Sequence, residues 1–530
     1  MRRLNLIVFA LAVVAAGGAR ADTHEQPVIR YGDLIHPVFG PAGMVASQNR
    51  VASAVGADVL SAGGNAVDAA VAVSFALAVT LPRAGNIGGG GFMLIHIAED
   101  ATTTSIDYRE MAPPGATRDM FLDADGNVDN TKARFSHLSA GVPGTVAGLW
   151  EAHQRYGRLE WRELLEPAVA LARDGVRVSY DMASVLGLRQ ERLCANVAAC
   201  RYFYKADGSA YQPGDVIIQA DLAKTLDAIA RKGRDGFYKG RVARLIADDM
   251  KNNGGLVDKA ALARYEPVWR EPVKGTYRGY DIVTMAPPSS GGVHVLQMLN
   301  ILEQFDVGTM GAGSADSVHL LAEAMRLAFA DRSKHLGDPD FYPVPVDWLT
   351  SKDYGRELAA TIDMASARPS DEVLPGVVVA PESPDTTHIS IIDAEGNVVS
   401  KTYTLNLSYG SGIAIEGAGF LLNNEMDDFV AKPGVPNAFG MLGGEANSIE
   451  ADKRPLSSMT PAIVFSDGKA WFATGSPGGS RIITSVLQMI VNVIDHEMNI
   501  AAATAAPRMH HQWYPDVLGL EQGYSPDTIQ

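Results

Sequence analysis

Apolar and polar positions alternate from Thr386 to Ile392 and again from Val398 to Leu405, with Ala394-Glu395-Gly396-Asn397 between them. Period-two patterning on either side of a Gly/Asn turn predicts a β-hairpin. Just upstream, from about Ala367 to Asp385, the composition shifts to Pro, Ser, Asp and Glu. That shift predicts an exposed linker ending where the hairpin begins. From Gly43 onward the pattern alternates between strands and helices. Ser61-Ala62-Gly63-Gly64-Asn65 reads as a turn, and Ala66 to Ala78 is apolar at nearly every position, which predicts a helix buried on most sides. Met93 to Ile97 reads as a buried strand, and Ser105 to Glu110 as a strand ending in an arginine. The stretch from about 150 to 350 reads as mostly helical, with Ala322 to Arg332 its clearest helix. Pro287-Pro288-Ser289-Ser290-Gly291-Gly292 reads as a turn opening another helix, capped by Ser290.

The N-terminus has a separate pattern. Arg2 and Arg3 precede an apolar run from Leu6 to Ala16, too short to span a bilayer, and Ala19-Arg20-Ala21 fits an A-x-A cleavage site. Residues 1–21 are therefore expected to be a signal peptide, with export to the periplasm if the source is Gram-negative and secretion otherwise. No other stretch reads as a membrane span. The 530 residues are 47% apolar and 20% charged, an ordinary globular composition, and the net charge of −16 argues against a nucleic-acid partner. Cys194 and Cys200 are the only cysteines. In an oxidising compartment they can close a small disulfide loop; the alternative is two buried thiols. They offer too few ligands for a metal.

Thr386 is the candidate for chemistry. A Thr opening a strand becomes a nucleophile with its own base if the bond from Asp385 is cut, because the freed α-amine sits on the same residue as the hydroxyl. Such an amine has an unperturbed pKa of about 7.7–8.0, near working pH. Gly85-Asn86-Ile87-Gly88-Gly89-Gly90-Gly91-Phe92 fails as a phosphate loop, since no Lys-Ser/Thr follows; close backbone approach or a positive-φ turn is the expected role. Arg109 at a strand end can hold a carboxylate by two parallel hydrogen bonds. His294 and His319 are expected to be ordinary packed histidines. His510 and His511, as neighbours on an extended chain, point opposite ways and make no metal site.

Five motifs occur in order: Thr386-Thr387-His388; Thr402-Tyr403-Thr404-Leu405-Asn406; Leu422-Asn423-Asn424-Glu425-Met426-Asp427-Asp428-Phe429; Arg454-Pro455-Leu456-Ser457-Ser458-Met459; and Gly475-Ser476-Pro477-Gly478-Gly479-Ser480-Arg481. Together they resemble the γ-glutamyltranspeptidase family, over about Gly43 to Pro515. The resemblance implies an α+β fold, the four-layer αββα sandwich of N-terminal-nucleophile hydrolases, with two antiparallel sheets between helical layers. It implies a self-processing γ-glutamyl acyltransferase and hydrolase: Thr386 breaks its own bond to Asp385, then cleaves the γ-glutamyl amide of glutathione and related donors. The acyl group passes to water or to amino acids and peptides. No metal or organic cofactor is implied. Residues 22–385 and 386–530 are expected to form a heterodimer sharing one core. Arg109, in the Arg-Glu-x-Ala-Pro motif, would bind the α-carboxylate together with Ser457 and Ser458. Asn406, Glu425 and Asp428 would surround the α-ammonium, Thr404 would hydrogen-bond Thr386, and the N–H groups of Gly478 and Gly479 would form the oxyanion hole.

Three features depart from the family pattern. Phe439 stands in the lid-like stretch Pro433 to Gly444 where a Tyr is common. Glu425 stands where many bacterial members carry Gln. The chain stops at Gln530, short of the family's usual end; either another chain or a rearrangement is expected to cover the sheet edge there, or this is a fragment of compromised stability. Two alternatives remain at this point. One is a related amidase, of the glutaryl-cephalosporin acylase or poly-γ-glutamate-processing type. The other is an unprocessed glutamate-binding homologue without catalysis.

Overall fold

The hairpin at residue 395 forms, and it lies inside a sheet rather than at its edge. A computed structural model of the protein describes residues 35–373 and 386–530. Ten strands build its two main sheets: β1 (Gly43–Ser47), β2 (Gly90–Ile97), β3 (Thr102–Tyr108), β4 (Val268–Arg270), β5 (Val273–Tyr277), β6 (Tyr280–Thr284), β7 (Thr387–Asp393), β8 (Val398–Thr404), β9 (Ala462–Ser466) and β10 (Lys469–Thr474). The larger sheet runs β1-β7-β8-β2-β3-β4 and the smaller β10-β9-β6-β5, with antiparallel neighbours throughout. The hairpin β7–β8 is thus inserted between β1 and β2. Strands from both sides of the 374–385 stretch build both sheets, interleaved in the larger and side by side in the smaller, so neither side has a complete sheet of its own.

The two sheets face each other across Leu94 and Val398 on one side and Val283, Ile463 and Phe465 on the other. On the outer face of the larger sheet lie α1 (Arg50–Ser61) and α2 (Ala66–Thr80); on that of the smaller lies α3 (Gly291–Leu302), beside α4 (Ala315–His335) and α5 (Arg481–Ile494). The order helix, sheet, sheet, helix is the expected αββα sandwich. All fifteen residues of α2 are buried. Asn65 and Asp68 close its N-terminus reciprocally, each side chain accepting from the other end's backbone N–H.

The glycine run owes its composition to close approach. A Cβ on Gly89 would lie 2.0 Å from the Thr404 carbonyl oxygen, and one on Gly88 2.2 Å from that of Leu421. None of Gly88 to Gly91 has positive φ. The run lets β2 pass directly against the end of β8, where the candidate nucleophile's neighbours sit.

The 150–350 stretch is mostly helical, as expected, and also contains β4, β5 and β6, half of the smaller sheet among them. The β5–β6 hairpin turns through Arg278 and Gly279, both at positive φ (51° and 87°). Its five-residue strands are too short to outweigh the helical pattern around them. Ser290 does not cap α3, and its hydroxyl donates instead to the Ser457 carbonyl at 2.8 Å. Within the stretch read as an exposed linker, Ser370 is buried. Its N–H donates to Asp516 at 3.0 Å and its carbonyl accepts from Trp513 Nε1 at 2.9 Å. The signal-peptide reading of residues 1–21 and the cleavage residue Asp385 lie outside the described residues. Cys194 and Cys200 are joined as a disulfide. His294 is fully buried against Gln297, and His319 Nε2 donates to the Asp363 carbonyl, both as packed side chains.

Both faces of β8 are buried, and its outward face carries a lysine. Lys401 Nζ lies 2.6 Å from Ser74 Oγ of α2 and 3.2 Å from the centre of the Tyr403 ring. Burial holds its pKa well below the ordinary lysine value. The unfolded chain keeps that proton up to about pH 10.4, so it binds more protons than the fold, and stability rises with pH through this window. Each pKa unit of depression costs about 1.4 kcal/mol at neutral pH. Ser74 Oγ also donates to the Ala70 carbonyl, so it keeps a partner without the lysine. Lys401→Met is therefore expected to raise the unfolding temperature by several degrees at pH 7, with the gain shrinking toward pH 10 in thermal melts.

Candidate active site

Thr386 immediately precedes β7, and the hairpin register brings the end of β8 beside it. Its Oγ1 donates to Thr404 Oγ1 at 3.4 Å, and Thr404 Oγ1 accepts from the Asn406 N–H at 2.9 Å. Asn406 adopts positive φ (75°), which turns the chain sharply after β8. Its Nδ2 donates to the Asn424 carbonyl, while its Oδ1 is buried with no hydrogen-bond partner among the described residues. The next inward-facing residue on β7 is His388. Its two ring nitrogens are held by the hydroxyls of Thr402 and Ser390, both at 2.9 Å. Burial lowers its pKa to about 3, so it stays neutral. With both nitrogens committed, His388 is a strut for the hairpin and not a base for Thr386.

Arg109 follows β3 directly and is 1% exposed. Its guanidinium donates to Glu425 and to Asp428 Oδ2, the latter at 2.5 Å, and its Nε donates to the Pro455 carbonyl at 3.2 Å. The acids sit on a short 3-10 turn, Glu425–Asp428, anchored by Asn423. The Asn423 amide bridges the carbonyls of Gly88 and Gly141 and accepts from the Glu425 N–H. Glu110, unremarked in the sequence, completes the cluster: it is fully buried, 3.7 Å from the Arg109 guanidinium. Burial pushes the Glu110 carboxyl up to about 7 against the pull of Arg109, and pushes Glu425 well above the usual carboxylate range. Among the described residues neither Glu110 oxygen, nor Glu425 Oε2, has a hydrogen-bond donor, so burial opposes the charged form of both carboxyls.

Ser457 and Ser458 lie beside this cluster on an extended segment clamped from below by the Pro287–Gly292 turn. Ser457 N–H donates to the Pro288 carbonyl, and both N–H and Oγ of Ser290 donate to the Ser457 carbonyl, each at 2.8 Å. Ser458 Oγ lies 3.7 Å from the Met441 sulfur, a weak acceptor. Gly478 and Gly479 precede α5, with φ of 129° and 56°, and their N–H groups donate to no partner among the described residues. A Cβ on Gly479 would lie 2.5 Å from the Phe439 ring. Phe439 is thus buried against Gly479. Gly479→Ala keeps the N–H but is expected to displace Phe439 and strain the turn, lowering kcat by on the order of 100-fold, the usual cost of a misplacement of about 1 Å near the reacting atoms. Steady-state kinetics on the cleaved protein checks it.

One cavity is lined by Thr386, Thr404, Asn406, Glu425, Asp428, Arg109, Ser457, Ser458 and Gly479. Gly478 alone of the ten site residues expected from sequence is outside that lining. The cavity therefore joins a hydroxyl at a strand start, the glycine before α5, a guanidinium, and two acidic side chains. Among the described residues no cluster of His, Cys, Asp and Glu could hold a metal ion.

Comparison with known proteins accords with this geometry. The family model described as Gamma-glutamyltranspeptidase matches residues 52–530. The chain belongs to the γ-glutamyltranspeptidase family. Within that family it is 52% identical over 526 residues to the glutathione hydrolase proenzyme of Escherichia coli strain K12, covering 98% of this chain and 90% of the relative. The crystal structure of Helicobacter pylori γ-glutamyltranspeptidase aligns with a TM-score of 0.63 at 47% identity, over 64% of this chain and 97% of the other. That of a cephalosporin acylase from Bacillus halodurans aligns with a TM-score of 0.80 at 26% identity, over 96% and 89%. The sandwich is thus shared by γ-glutamyltranspeptidases and an acylase.

Proposed function

We propose that this chain is a self-processing γ-glutamyl acyltransferase and glutathione hydrolase. The observation that carries the reading is the pairing, in the Thr386 cavity, of Arg109 with Glu425 and Asp428. Taken together the groups complement a zwitterion: a guanidinium for an α-carboxylate, acids and Asn406 Oδ1 for an α-ammonium. A γ-glutamyl group carries both, and its side-chain carbonyl extends toward Thr386. The entering zwitterion exchanges one set of buried ion pairs for another, so no charge is left unpaired.

In maturation, Thr386 Oγ1 attacks the Asp385 carbonyl carbon and the Asp385–Thr386 C–N bond breaks. The acyl group shifts from N to O, and water then hydrolyses the ester, leaving 22–385 and 386–530 as two tightly held pieces. In each later cycle the Thr386 α-amine accepts the hydroxyl proton and Oγ1 attacks the γ-carbonyl. The N–H groups of Gly478 and Gly479 stabilise the oxyanion, and the leaving amine takes the proton. Water, or an amino acid or peptide amine, then takes the γ-glutamyl group from the ester. Thr404 steadies the hydroxyl, and Ser457 and Ser458 add donors to the α-carboxylate. The N-terminal pattern supports export, periplasmic in a Gram-negative source, and no helix among the described residues is long and apolar enough to cross a membrane.

The rival amidase reading makes a different demand on the acids, since a glutaryl group has no α-ammonium. Anilides of L-γ-glutamate and of glutarate, assayed side by side, separate the two. The γ-glutamyl anilide is expected to react faster by roughly 100-fold or more, because the glutaryl analogue leaves the site's buried polar groups unmatched. Equal or faster release from the glutaryl anilide would overturn the reading.

A further inference from the structure

Buried arginines in this fold come with acids. Arg109 has Glu425 and Asp428, Arg270 has Asp107, and Arg326 has Glu323. Arg332 breaks the rule. It sits near the end of α4, 5% exposed, and among the described residues no carboxylate lies within 4.0 Å of its guanidinium. Its Nε donates to Ser290 Oγ at 2.9 Å and its Nη2 to Ser458 Oγ at 3.4 Å. Burial lowers its pKa only to about 10, so it remains a cation at neutral pH, drawn toward Asp428 and repelled by Arg109. A buried cation without a counter-ion is costly unless an anion arrives.

The two serines it touches lead to the same place. Ser290 fixes the Ser457 carbonyl from below, so Arg332 braces the segment carrying both site serines. At Ser458 the effect is directional. Because the hydroxyl oxygen accepts from Arg332, its hydrogen is left to point into the cavity, where only the Met441 sulfur now receives it. A carboxylate beside Arg109 is a far better acceptor.

Resting on the function proposed above, we infer that Arg332 is a positioning residue for donor recognition. Through Ser458 and Ser290 it orients the hydroxyl donor and supplies a second positive charge to the γ-glutamyl α-carboxylate. It sets the preference for donors that carry that carboxylate.

The test compares L-γ-glutamyl anilide with its α-carboxamide analogue in wild type, Arg332→Gln and Arg332→Lys. Processing of each protein is first checked by mass. Arg332→Gln is expected to raise KM for the carboxylate donor by about 10-fold or more with kcat changed little, the pattern of lost ground-state binding. KM for the carboxamide donor stays nearly level, so the preference between the two collapses. Arg332→Lys restores part of it. A purely structural arginine would shift both donors alike, and an unchanged preference in Arg332→Gln would overturn the inference. If Arg332→Gln remains uncut, the ratio in Arg332→Lys decides in the same way. A wild type that turns over neither donor would remove the underlying reading itself, and this inference with it.

Discussion

Thr386→Ala is expected to yield one uncut chain with no γ-glutamyl transfer above background. The substitution removes two functions at once. Without the hydroxyl there is no attack on the Asp385 carbonyl, so the α-amine that would act as base is never released. Without the nucleophile there is no ester for water or an amine to take over. Losing a nucleophile that works as a unit with its base typically costs about 10⁴–10⁶ in kcat. The fold itself should survive, since Thr386 precedes β7 and contributes none of its ladder pairs. Thr386→Ser keeps the hydroxyl and is expected to be cut, more slowly. Gel mobility and anilide turnover read both variants together. A Thr386→Ala protein that is cut at the same bond would place the nucleophile elsewhere.

The second large effect is expected at Arg109. Arg109→Met removes the fork for the α-carboxylate and strands three buried acids, Glu110, Glu425 and Asp428, around an apolar side chain. Breaking a buried ion pair from one side costs about 3–5 kcal/mol. On activity, the same size of loss corresponds to roughly 100-fold or more in kcat/KM for γ-glutamyl donors. The stability deficit has a defined pH dependence. Burial already holds the Glu110 carboxyl at about 7 in the presence of Arg109. Without the arginine's pull these acids move further up. An acid whose folded value lies above its unfolded value of about 4.3 loses stability as pH rises between the two. Thermal melts should therefore show a small deficit for Arg109→Met near pH 4.5 and a large one near pH 8. A deficit that is level across pH would mean the acids are not stranded.

Much of the site was legible because its parts lie in short local patterns. The β7–β8 hairpin announces itself by period two about a Gly/Asn turn, and α2 by an unbroken apolar run. The glycine run was open between two roles, and the structure selects close approach, with Gly89 against the Thr404 carbonyl. The acids at 425 and 428 and Arg109 were readable as residues of one site, but their direct ion pairing was not. Arg109 and Glu425 are 316 positions apart, and only the sheet order β8-β2-β3 brings them together. Arg332 was invisible for the same reason. It ends a helix that reads as scaffold, and its contacts with Ser290 and Ser458 span 42 and 126 positions. Glu110 was overlooked although it neighbours Arg109, since burial and not spacing gives it its raised pKa. The β5–β6 hairpin did carry a local signal, an Arg-Gly turn between alternating strands, which the surrounding helical pattern obscured. Lys401 shows the opposite failure: nothing in a strand of Val, Ser, Thr and Tyr predicts a lysine on its helix-facing side.

The central claim is that one residue, Thr386, both cuts the chain and carries the acyl group. The direct measurement is the intact mass of the purified protein after brief incubation with a γ-glutamyl donor and quenching in acid, with and without an acceptor amino acid. The expected result is two pieces divided between Asp385 and Thr386, with one γ-glutamyl increment on the piece that begins at Thr386, removed when the acceptor is present. A single uncut chain that still turns over the donor, or an increment on the other piece, would contradict it.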